Sequence, residues 1–160
     1  QGGNVGPLPY LYFEYDEKDL RRDITFIPYD WTKGVQNILN KNVSTWYFGK
    51  IRYEWMSRKI SSSDDGINKI YMRYADVVLM RAEVENYLNG ANAAAPYLKQ
   101  IRQRAFAQAD WAEKVDAHVA ALTSKEQMQK AIEDERAFEF AGEMIRKNDL
   151  VRWGKLKTTL

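Results

Sequence analysis

Two short runs pair aromatic rings with polar side chains in a way that suits a sugar. Tyr29-Asp30-Trp31 and Ser44-Thr45-Trp46-Tyr47 lie in the loop-rich first third of the chain. A pyranose has apolar C–H faces that pack on an aromatic plane, and hydroxyls that need carboxylate, amide or hydroxyl partners. Tyr29, Trp31, Trp46 and Tyr47 are therefore the candidate ligand-binding residues. The competing account is core packing, which takes most large aromatic side chains. Exposure separates the two accounts. A stacking ring must face water before its ligand arrives, forgoing roughly 1.5–3 kcal/mol of burial. At least one of the four rings should be exposed beside an Asp, Asn or Thr.

Other chemistries find less support. Asp134-Glu135 and Asp64-Asp65 are carboxylate pairs, but sequence neighbours on a helix point apart, so paired acid/base work is not implied. Asp64-Asp65-Gly66-x-Asn68 has part of a calcium loop. It lacks the alternating ligands and the distant Glu, so it reads as a turn, with calcium left open. His118 is the single histidine; alone it makes no histidine-based metal site, and a helix surface is its expected place. There is no phosphate-cradling glycine loop, nucleophile elbow or HExxH motif. No catalytic residue is assigned, no cofactor is implied, and the chain reads as a non-enzyme.

Composition narrows the class further. The chain has 160 residues, 45% hydrophobic and 29% charged, with a net charge of +2, as in an ordinary globular domain with room for a core. The two signs of charge are interspersed, which argues against a dedicated nucleic-acid surface. No run approaches the roughly 18 apolar residues of a membrane span. The absence of cysteine excludes disulfides and thiolate metal sites. The chain begins with Gln and carries no signal peptide, so it reads as a processed or truncated piece.

The elements that must position these residues divide at Ser61–Asn68. Residues 1–66 read as an irregular, aromatic-rich segment with short extended pieces, and residues 67–160 as a helical scaffold, the two forming one structural unit. In the first part, residues 1–9 are an irregular lead-in and Asp16–Asp23 a solvated charge cluster with at most one helical turn. Ile24–Trp31 has strand composition limited by Pro28. Gly34 and the following Asn-rich run read as loop, and Ile51–Trp55 as a half-exposed extended stretch. In the second part, a helix from about Arg73 ends at Asn89-Gly90. Its apolar residues Tyr74, Val77, Val78, Ala82, Val84 and Leu88 spread over more than one face, so neighbours must cover both sides. A second helix starts near Ala93, with Pro96 in or near its first turn and Leu98, Ile101 and Ala105 buried. The pair forms a hairpin like one tetratricopeptide-type repeat. Gln108–Leu122 is a weaker helical insertion. A strong helix then starts at Thr123 or Ser124, since both fit a capping box. It continues through Met128, Ile132, Phe138, Gly142 and Ile145, with Glu135 on the same face and so in need of an arginine.

Residues 132–156 carry an order of charges that amphipathicity does not require: Glu135-Arg136, Glu139, Ala141-Gly142-Glu143, Arg146, Asp149-Leu150 and Arg152-Trp153-Gly154-Lys155-Leu156. This run resembles the C-terminal signature of the SusD/RagB family. Arg73-Tyr74-Ala75-Asp76 and Leu98–Ala105 (LKQIRQRA) are similar to two further family helices. Phe106 stands where the family often has Gly, and Met144, Ile145, Lys147 and Asn148 replace common family residues around Arg146. The resemblance implies a mostly α fold with a tetratricopeptide-like scaffold, the family's long N-terminal helical part lying outside this chain. It implies an oligosaccharide- or nutrient-binding lipoprotein on the extracellular face of the outer membrane, held by a lipid anchor upstream and delivering to a SusC-like TonB-dependent transporter. The signature's charges and Trp153 are then scaffold; Glu135, Arg136 and Arg146 are expected in ion pairs. The alternative is an intracellular helical-repeat adaptor that binds other proteins.

Overall fold

A computed structural model describes residues 6–38, 46–52, 55, 57 and 70–159, without the side chains of Pro9 and Ile38. The Asp64–Asn68 turn, Ser44, Thr45 and Tyr53 lie outside the described residues. The chain divides into two compact units, Gln1–Glu17 with Arg22–Tyr71, and Lys18–Arg21 with Met72–Leu160.

The first unit opens on α1 (Pro9–Glu14), which starts at the last residue of the expected lead-in. Pro9 is at home there, because the first turn needs no N–H and a fixed φ suits it. After the single turn α2 (Arg22–Thr25), β1 (Phe26–Ile27) pairs antiparallel with β4 (Tyr47–Phe48), setting Phe26 opposite Phe48. Pro28 ends β1, as its composition implies. β2 (Tyr29–Thr32) and β3 (Val35–Ile38) then form a hairpin. Its two-residue turn is Lys33-Gly34, with φ of 51° and 80°. Positive φ at both turn residues matches the twist of antiparallel strands. The stretch after Gly34, expected to be loop, is thus a strand in its first four residues. The core of this unit is aromatic: Tyr15, Phe26 and Trp46 are buried, and Tyr12 sets its ring edge-on to both Phe26 and Trp46.

Helices make the second unit. α3 (Tyr74–Asn89) ends at Gly90, whose φ of 92° and ψ of 175° suit glycine alone. α4 (Ala91–Ala105) starts two residues earlier than expected and so holds Pro96 in its second turn. The two helices pack as a hairpin, burying Ala75, Val78, Leu79 and Ala82 of α3 against Ala94, Leu98 and Ile101 of α4. A 3-10 turn (Gln108–Asp110), a π-helical turn (Trp111–Ala117) and α5 (His118–Ala120) follow. This irregular stretch is tied back on α4: Trp111 Nε1 donates to the carbonyls of Gln103 and Phe106, and Arg102 donates to that of Lys114. Buried Phe106 packs with Ala105 and Val115.

α6 (Lys125–Glu139) carries the Ser124–Gln127 capping box and buries Met128 and Ile132. It stops at Glu139 rather than running on through Gly142 and Ile145. Arg73 caps that end, donating to the Glu139 carbonyl at 2.6 Å and lying 4.5 Å over the ring of buried Phe140. The chain turns through Gly142 (φ 82°) and Met144 (φ 64°) into α7 (Arg146–Arg152), and Gly154 leads to α8 (Leu156–Thr159).

Candidate functional site

A strand sends alternate side chains to opposite faces, and the β2–β3 register decides what surrounds Trp31. Tyr29 and Trp31 share a face and meet edge-on, with ring centroids 6.4 Å apart. Gln36 is directly opposite Trp31 and Asn37 directly opposite Asp30. The polar neighbour on the tryptophan's own face is therefore the exposed Gln36. Asp30, its neighbour in sequence, belongs to the other face. Trp31 is 57% exposed, an open indole on a hairpin. Such a ring has an apolar plane and an amide beside it, the two groups a pyranose needs.

The other candidates separate by burial. Tyr29 and Tyr47 are half-buried, and Tyr47 stands opposite Ile27 across β1 and β4. Trp46 is only 7% exposed. It is packed against Tyr12 and presents no face to a ligand, so the crowding of aromatic residues in the first third mixes core and surface. One residue outside the candidate set adjoins Tyr29, and a second adjoins that one. Arg52 Nη1 donates to the Tyr29 hydroxyl at 3.1 Å, and the same guanidinium lies 4.8 Å over the ring of Trp55, itself 58% exposed. The Trp55 backbone N–H donates to the Arg52 carbonyl at 3.1 Å; Tyr53 and Glu54 of the expected extended stretch lie outside the described residues. The sequence signal is the Arg-x-x-Trp spacing, whose two ends this hydrogen bond joins.

The signature residues are structural. Glu135 is 1% exposed and accepts from Arg21 at 2.7 Å and Arg102 at 2.8 Å. Glu139 is held by Arg21 and Arg73. Arg136, 4% exposed, pairs with Asp149 and Asp76, each at 2.8 Å. Arg146, expected in an ion pair, makes none among the described residues; it donates to the Glu133 carbonyl and lies over Trp153. The Asp16–Asp23 cluster is less solvated than its composition suggests: Asp19 is buried, and Arg21 forks onto it. Burial would lower the Arg21 pKa, but Glu135, Asp19 and Glu139 outweigh it and hold the guanidinium well above its ordinary value. Burial likewise opposes ionisation of Glu139, yet Arg21 and Arg73 keep its carboxyl below the ordinary range.

A groove of about 530 Å³ on the helical unit is lined by His118, Leu122, Lys130 and Phe138 among others. Its polar groups are largely engaged: Lys130 with Asp134, Gln127 in the capping box and Arg102 with Glu135. His118 is exposed, as expected; desolvation, then Arg102, lowers its pKa. Among the described residues no cluster of His, Cys, Asp and Glu could hold a metal ion.

The SusD family model matches residues 14–160, and the chain belongs to that family. Over 128 residues, 76% of this chain, it is 40% identical to the SusD-like protein P25 of Formosa agariphila. The chain spans about 22% of that relative's length. No solved structure matches it.

Proposed function

We propose that the protein captures an oligosaccharide or a related nutrient at the extracellular face of the outer membrane and passes it to a TonB-dependent transporter. Capture is reversible binding without bond cleavage. Family membership supports the setting, and one observation supports the site: the Trp31 indole is open to water on a hairpin, edge-on to Tyr29 and opposite Gln36. Among the described residues no helix is long and apolar enough to cross a membrane, and on this reading a lipid anchor upstream holds the protein to the bilayer. Tyr29, Trp31 and Tyr47 remain the proposed ligand contacts; Trp46, buried against Tyr12, leaves the set.

Affinity electrophoresis and calorimetry against a panel of neutral and acidic oligosaccharides test this. Trp31→Ala is expected to weaken binding at least about tenfold, or about 1.4 kcal/mol, with thermal stability unchanged. Binding unaffected by Trp31→Ala would remove the hairpin from the site.

A further inference from the structure

We propose that Trp55 is a second stacking ring of the same ligand site, and that Arg52 is the positioning residue that holds it in register with Tyr29 and Trp31. The inference rests on the reading of Trp31 as a sugar platform and extends it to the size and charge of the ligand.

Arg52 is fastened on every side. Nε donates to the Gly49 carbonyl at 2.8 Å, Nη1 to the Tyr29 hydroxyl at 3.1 Å, and Nη2 to the carbonyls of Ile24 at 2.9 Å and Asp23 at 3.2 Å. These acceptors belong to three separate stretches of the first unit, so the guanidinium is a fixed strut. Gly49 makes the space for it, because a Cβ there would stand 2.9 Å from Nη2. Trp55 lays its ring against this strut at 4.8 Å, a distance at which a cation attracts the π-face. The indole is thereby oriented on one side and, at 58% exposure, open on the rest.

Each step from Trp31 to Tyr29 to Arg52 to Trp55 is a direct contact. Both ends are open indoles. Two platforms tied through one strut keep a set separation, and a ligand that covers both must be longer than one ring. Because Nε, Nη1 and Nη2 are all turned to protein oxygens, Arg52 orients the ring and is not itself an anion ligand. The platforms offer ring faces, so the ligand class proposed is a neutral oligosaccharide, recognised by its C–H faces.

The test is calorimetric titration of the protein with cello-oligosaccharides and malto-oligosaccharides of increasing length, from the monosaccharide upward. Wild type is expected to gain affinity with length. Trp55→Ala should abolish the gain from the longer members, a loss of about tenfold, while leaving the shortest bound member within about twofold. Trp55→Phe should restore part of it. Arg52→Lys keeps the charge but loses the fork, and should lower long-chain affinity with unchanged binding of the shortest member, a pattern general destabilisation does not give. If Trp55→Ala keeps the wild-type length dependence, or weakens every length equally, the second platform is refuted while the Trp31 site stands. If wild type binds neither ladder, this proposal falls. The Trp31 reading falls with it only if the wider panel is also silent.

Discussion

Arg136 shows how the charges of the C-terminal third work. Its side chain is almost fully buried, with Nε on Asp149 and Nη2 near Asp76. Removing one member of a buried ion pair strands the other, at a typical cost of about 3–5 kcal/mol. Arg152 still holds the second oxygen of Asp149, so Arg136→Ala should fall toward the lower end of that range in urea or thermal unfolding. A variant that melts like wild type but loses ligand would instead make Arg136 part of the binding site. Burial of Glu135 with an arginine was legible from helical periodicity, because a charge on an apolar face must be paired. Its second arginine was not: Arg21 is 114 residues away in sequence, and a run such as DEKDLRRD looks solvated until its distant carboxylates are placed. The stacking rings divide in the same way. Ring and polar residue types were readable, but the exposure that separates Trp31 from Trp46 depends on which rings Tyr12 and Phe26 gather into the core.

At the scale of elements, the legible features are those with local chemistry. Gly90 ends α3, and Ser124 with Gln127 starts α6, each through groups a few residues apart. The β2–β3 hairpin was hidden because Lys-Gly is a weaker turn signal than Asn-Gly, and because its strands are mostly exposed and show no apolar alternation. Two glycines in the first unit make a test of what each turn requires. A Cβ at Gly34 would meet nothing within 4 Å, so Gly34→Ala pays only for its positive φ, about 1–2 kcal/mol. A Cβ at Gly49 would stand 2.4 Å from the Ile24 carbonyl oxygen and 2.6 Å from the Ile27 side chain. Backbone must move there, and with it the β1–β4 pairing and the seat of Arg52. Gly49→Ala is therefore expected to lose more stability than Gly34→Ala and to change the near-ultraviolet circular dichroism of the aromatic cluster. Equal, small effects would show that the approach at Gly49 relaxes freely.

At the scale of the whole molecule, the open question of packing is α3. Apolar residues lie on more than one of its faces, and only one of those faces is covered: Ala75, Val78, Leu79 and Ala82 are buried, whereas Tyr74, Val77, Met80, Val84, Tyr87 and Leu88 are exposed. The exposed set recurs every three or four residues, which is one continuous stripe along the helix. Contiguous apolar surface of this kind marks a face that another surface covers. This 160-residue chain is expected to bind a hydrophobic dye or to self-associate. Val84→Lys with Leu88→Lys should suppress that behaviour while shifting stability by no more than about 0.5 kcal/mol, as for other exposed positions. A dye-silent monomer with a single cooperative melt would show that the stripe is tolerated in water and needs no cover. A double variant that unfolds would show that these side chains are packed in solution by the chain itself.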